Sequence, residues 1–220
     1  MRKAIFIGVF ICLATFAVTA QADISSTGHD FSGETWSEGE ICLPCHVVHN
    51  ADPCEGAPLW SHAVIGSGKT YTAYTSTTID INDTGYPASV TFSGTSKLCL
   101  SCHDGSIALD SFDGASGSTF IDDVGTGSGR VTDPGDDTDL SRMHPIGFRY
   151  RNQLVLDDGE LNDPATVNSS VVVLEDYTNA DIGGLVTCSS CHDVHNSASA
   201  DPLLVMDNAG SAMCLVCHDK

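Results

Sequence analysis

Basic residues are scarce in this 220-residue chain: 9 Lys and Arg stand against 29 Asp and Glu, a formal net charge of −20. The deficit excludes nucleic acid and anionic membrane surfaces as natural partners, since both repel an acidic chain. Cations, basic proteins and mineral surfaces stay open, and so does acidity that serves solubility alone. Aromatics are also few, at 7% of residues, and Gly, Ser, Thr and Asp fill long tracts. Such a polypeptide makes a thin apolar core by itself. Long apolar runs are missing beyond residue 18, so no membrane-spanning helix of about 20 residues is expected there. Methionine is short too, with Met143, Met206 and Met213 the ones that follow the N-terminal segment.

Arg2 and Lys3 precede an apolar run from about Ala4 to Val18, and Ala20-Gln21-Ala22 follows as a small-x-small site. This is the pattern of a cleaved secretory signal peptide over 1–22. The run is short for the alternative, a retained membrane anchor. Cys12 lies inside it without a lipobox and leaves with it. Cleavage leaves 23–220, a length for one domain, and changes the charge to 7 − 29 = −22. The expected location is extracellular or cell surface, with the periplasm as the alternative.

Cysteine and histidine are plentiful, at ten and nine residues. Cys42-Leu43-Pro44-Cys45-His46 is a C-x-x-C-H unit, which recurs at Cys99–His103, Cys188–His192 and Cys214–His218. Two cysteines three apart reach the two vinyl groups of one porphyrin, and the adjacent histidine then reaches its iron. The thioether residues are therefore Cys42, Cys45, Cys99, Cys102, Cys188, Cys191, Cys214 and Cys217. His46, His103, His192 and His218 are the proximal iron ligands. Structural zinc also uses paired C-x-x-C units, but it does not require a histidine after every second cysteine. Four haem c groups are expected, each adding two propionates, and folding should depend on their attachment.

The histidines left over are His29, His49, His62, His144 and His195. Four irons need four distal ligands, so histidine can saturate every one. Saturated haems favour electron transfer over chemistry at an open iron, and histidine in place of methionine implies lower potentials. The expectation is an electron-transfer protein and not an enzyme. His49 cannot serve the iron of His46, because residues three apart on a helical turn share one side; the same holds for His195 and His192. Repeat logic assigns His49 to the second haem, His195 to the fourth, His144 to the third and His29 to the first. His62 is then surplus (or His29, if the two are reversed). A surplus histidine is either hydrogen-bonded at the surface or donated to a neighbouring subunit.

The motifs alternate. Cys42–Asn50 and Cys188–Asn196 share C-x-x-C-H-x-V-H-N, each followed by Ala-Asp-Pro, whereas 99–104 and 214–219 share C-L-x-C-H-D. This predicts two diverged dihaem modules, about 23–110 and 142–220, joined by a Gly/Ser/Asp-rich linker. Asp133, Asp136, Asp137 and Asp139 in that linker match no calcium loop and read as solvated carboxylates. Tyr71–Thr78 permits short strands or an extended wrap over a haem face. Val171–Leu174 reads as a short strand, and Gly105 should end a helical turn carrying the second motif. Trp36, Trp60, Phe148 and Tyr150 are expected on haem faces, and Cys54 is the odd cysteine, read as a buried thiol. Asn82-Asp83-Thr84 and Asn168-Ser169-Ser170 match the glycosylation pattern, read as chance. The fold class expected is mostly irregular coil, with short helices at the haem motifs and a few short strands, cored by haem.

Taken together, the doubled C-x-x-C-H-x-x-H-N, Pro58-Leu59-Trp60-Ser61-His62, Leu98–Gly105 and His144-Pro145-Ile146-Gly147-Phe148 resemble the multihaem cytochromes of the doubled C-x-x-C-H class. Four haems on roughly 200 residues look like the OmcE-type extracellular cytochromes, which polymerise into filaments. The resemblance runs from His29 to His218. It implies bis-histidine haems in a continuous stack, a coil-rich fold, and a histidine of one subunit ligating a haem of the next. A conductive nanowire delivering electrons to acceptors such as metal oxides is the function so implied. A discrete periplasmic tetrahaem carrier and a multihaem reductase component are the alternatives.

Overall fold

The computed structural model describes residues 23–220 apart from 26, 50, 52–55, 82–88, 125–128, 199 and 201. The signal segment with Cys12, the odd cysteine Cys54 and the Asn82 glycosylation pattern lie outside the described residues.

Most of the described chain is coil, as its Gly, Ser and Asp content dictates. Five short helices punctuate it: α1 (Gly94–His103), α2 (Asn152–Asp158), α3 (Pro164–Asn168), α4 (Cys188–Cys191) and α5 (Cys214–Cys217). Two antiparallel ladders pair β1 (Tyr71–Thr72) with β2 (Ser89–Val90), and β3 (Arg149–Tyr150) with β4 (Gly184–Leu185). Three helices carry C-x-x-C-H units, as expected. The first unit closes only a single turn, with the His46 N–H on the Cys42 carbonyl at 2.8 Å. α3 starts by the usual chemistry, with Pro164 in its first turn and Asp163 accepting from the N–H groups of Ala165 and Thr166. α1 stops where Gly105 takes φ 81, a left-handed angle that suits glycine.

Two apolar clusters form. Ile65, Tyr71, Ala73, Val90, Phe92, Leu100 and Leu140 make one, around β1 and α1. Ile81, Tyr150, Leu154, Val167, Val172, Leu174 and Val186 make the other, around β3 and α2. Ile146 packs against both. The halves also meet where α1 packs on α4. There Glu175 accepts from the Thr95 hydroxyl at 2.6 Å, the Thr95 and Ser189 hydroxyls stand 2.9 Å apart, and the Cys188 N–H donates to Ser96 at 3.2 Å.

The strand expected over Val171–Leu174 does not form. Val172 and Leu174 are buried while Val171 and Val173 face out, so the alternation of a strand is present without a ladder. The N–H groups of Val172 and Leu174 donate to the side chains of Ser170 and Asn168 instead. The stretch 111–141 folds back on the first half: Val131 donates to the His103 carbonyl at 2.9 Å and Leu140 to that of Thr72 at 3.0 Å. Its carboxylates are spoken for locally, Asp137 by Lys69 at 2.8 Å and Asp133 by Arg142 at 3.3 Å.

Candidate haem centres

The first and third motifs fold alike. Val47 N–H donates to the Leu59 carbonyl at 2.9 Å and Ser61 N–H to that of Cys45 at 2.9 Å. In the third, Asp193 N–H donates to Leu203 at 2.8 Å and Val205 N–H to Cys191 at 3.0 Å. A Pro-Leu turn thus bridges back onto each doubled motif, pairing His46 with Trp60 and His192 with Leu204. Nδ1 of His46 then meets the Pro58 carbonyl at 2.8 Å, and Nδ1 of His192 the Pro202 carbonyl at 3.2 Å. In the second motif, Nδ1 of His103 meets the Gly129 carbonyl at 2.6 Å. A carbonyl on Nδ1 fixes the proton there and leaves Nε2 with its lone pair for a metal.

The rings gather in pairs. His29 lies 5.7 Å from His103, His46 lies 6.3 Å from His195, and His144 lies 6.4 Å from His218, centre to centre. An imidazole nitrogen binds a metal at about 2 Å and the ring centre lies roughly 1 Å beyond, so two imidazoles on opposite sides of one iron have centres about 6 Å apart. Each pair joins one motif histidine to one of the five additional histidines, at the separation that a bis-histidine iron needs. The residues fit the cofactor that the motifs specify. The pairing departs from repeat logic, which put His29 with the first haem, His195 with the fourth and His144 with the third. Spacing along the chain says nothing of which distant loop returns to a site.

His49 and His192 are both exposed; among the described residues neither ring pairs with another histidine as these three pairs do. His62 is 3% exposed, not a surface histidine. Its Nδ1 lies 2.7 Å from the Ala63 carbonyl, its Nε2 3.0 Å from that of Ala108, and Cys102 Sγ stands 3.6 Å from Nε2. Burial lowers its pKa against the pull of those carbonyls. Burial, then the neighbouring imidazoles of His103 and His192, hold His29 down to about 4, which keeps the ring neutral and ligand-competent.

The thiols map the order of the motifs. Cys45 raises Cys102 electrostatically, Cys188 raises Cys99, and Cys214 acts on Cys191. Burial is the main cause that pushes Cys45 up to about 11 and Cys102 up to about 12. Among the described residues no three His, Cys, Asp or Glu side chains converge as a tetrahedral zinc would need. Trp36 Nε1 and Trp60 Nε1 are buried with no hydrogen-bond partner, Trp36 against Phe31 and Phe112, Trp60 against His46 and His62. Such donors suit a group that brings its own acceptors, as haem propionates do. Tyr150 instead turns its hydroxyl to the carbonyls of Asn162 and Cys217, and Phe148 packs on the second cluster.

The Pro-Leu turns, the Gly129 carbonyl and the Lys69–Asp104–Tyr71 contacts beside His103 escaped sequence reasoning. The signal for the first was there, in Pro58-Leu59 and Pro202-Leu203 at similar distances after each doubled motif.

Residues 183–220 match the family model of the doubled CXXCH motif, which spans the third and fourth units. The match is consistent with a multihaem c-type cytochrome, and CXXCH units indicate covalently bound haem c. No curated protein matches the chain.

Proposed function

We propose that this chain is an exported electron carrier with four haem c groups, and that it serves as the subunit of an extracellular conductive filament. The observation that carries the proposal is the set of histidine ring pairs at 5.7, 6.3 and 6.4 Å. When attached, haem supplies one-electron chemistry at iron, and two histidine ligands leave no open position for a substrate. The chain's own part is to hold those rings, exclude water from them and set neighbouring attachment sites close together. His192 is completed by His49 or, as the resemblance implies, by a histidine of the next subunit. Partners of the filament are further copies of the chain, other redox proteins and extracellular acceptors such as metal oxides.

Purified protein tests this in three measurements. A pyridine haemochrome assay should count four haems per chain. Carbon monoxide should leave the native reduced spectrum unchanged, since an open iron would respond. Electron microscopy should show filaments. A homogeneous small monomer would leave the discrete periplasmic carrier standing, and a carbon monoxide response would favour a reductase component.

A further inference from the structure

Three of the four motif histidines have Nδ1 on a main-chain carbonyl, and each acceptor either is or directly precedes a left-handed residue. Leu59 and Leu203, which follow the accepting prolines, have φ 55 and φ 58, and Gly129, itself the acceptor, has φ 66. Leucine has no affinity for this region, where its Cβ crowds the backbone. That the same cost recurs at the same place in both doubled motifs calls for a reason. Packing does not supply one for Leu59, which is 51% exposed. The turn itself does, because the reversal at the leucine aims the preceding carbonyl at the ring and sends the leucine's own carbonyl to residue 47 or 193.

We infer that Leu59 and Leu203 are positioning residues, whose left-handed turns hold the proline carbonyls on Nδ1 of His46 and His192 and so lower the reduction potential of the irons those histidines ligate. The inference rests on the haem reading above. A carbonyl accepting from Nδ1–H makes the ring a stronger donor through Nε2, and a stronger donor favours the oxidised iron. His218 has no carbonyl on its ring among the described residues, so its haem serves as the internal control.

The test compares Leu59→Ile with Leu59→Gly, and Leu203→Ile with Leu203→Gly, in the haem-loaded full chain. A β-branched residue resists positive φ, whereas glycine adopts it freely. Haem count per chain and potentiometric titration are the readouts. In each isoleucine variant one of the titrating components should move to higher potential, while the glycine variant keeps the wild-type profile. Loss of one haem in the isoleucine variant alone is the stronger form of the same result. Four unmoved components in the isoleucine variants overturn the inference, and so does an equal change in the glycine variants, which would point to side-chain packing. Wild-type protein without haem would overturn the underlying reading as well; four haems with indifferent variants would sink the turns alone.

Discussion

The second and fourth motifs share C-L-x-C-H-D but occupy different worlds. The second sits at the end of a ten-residue helix that buries Leu98, Leu100 and Ser101. Its Asp104 is fully buried, with Lys69 Nζ at 2.9 Å, the Tyr71 hydroxyl at 2.6 Å and the Ser106 N–H at 2.7 Å. The fourth sits on a four-residue helix with no buried residue, and its Asp219 is exposed. What holds that helix is a set of hydrogen bonds to its carbonyls: the Asn162 side-chain amide donates to those of Leu215 and Val216 at 3.0 and 3.1 Å, and the Asn162 main-chain N–H to that of Cys217 at 2.8 Å. The same six letters carry a C-x-x-C-H unit in both, but the surroundings hold the two differently. At the second motif, side chains from far upstream grip the motif's own buried carboxylate, whereas at the fourth the Asn162 and Tyr150 side chains reach only main-chain carbonyls.

The largest expected difference comes from the two aspartates. Asp104→Asn removes the buried carboxylate of an ion pair whose half-buried Lys69 keeps Asp137 as a second partner, a change that costs about 2 kcal/mol. The thermal midpoint of the loaded protein should fall by roughly 4–8 °C. Asp219→Asn should leave it unmoved, and equal melting of the two variants would break the comparison. A smaller effect follows at the carbonyl that braces His103. A Cβ on Gly129 would stand 3.3 Å from His103 Cε1 at φ +66, so Gly129→Ala should cost about 1 kcal/mol. It should also raise the potential of one titrating component, and an unchanged titration would show that the brace is idle.

The smallest effect is a matter of pH. Burial by itself lowers the Lys69 pKa, yet hydrogen bonds to Asp137 and Asp104 leave it above the ordinary lysine value. A raised folded pKa means that the pair stabilises fully below the unfolded lysine value of about 10.4 and fails as pH climbs through the folded one. Melting followed upward from neutral pH should show that alkaline loss in the wild type and less of it in Asp104→Asn. An identical alkaline slope in both would separate Lys69 from Asp104.

What was legible in the sequence was whatever is local. Attachment of a haem needs cysteines three apart and a histidine beside them, so Cys99–His103 announces itself wherever it lies. The stop at Gly105 and the coil between motifs also follow from neighbouring residues. The ring pairs were not legible, because His195 reaches His46 across the whole fold and nothing near either residue says so. The Val171–Leu174 strand failed for a related reason: β-branched residues favour extension, but a ladder needs a partner, and here Asn168 and Ser170 took the N–H groups first. Leu59 was invisible as well, since leucine carries no signal for a left-handed turn.

Cys99 and Cys188, on the packed helices α1 and α4, lie close enough for each to shift the other's pKa, and that proximity bears on assembly. Two neighbouring thiols, on helices from opposite halves, could close into a cross-link in an oxidising compartment. A chain that folded first would risk spending one cysteine from each of two motifs on the wrong bond. With haem attached as proposed, both cysteines are thioethers and that bond is closed to them, so attachment ahead of the meeting of the halves would spare the chain a dead end.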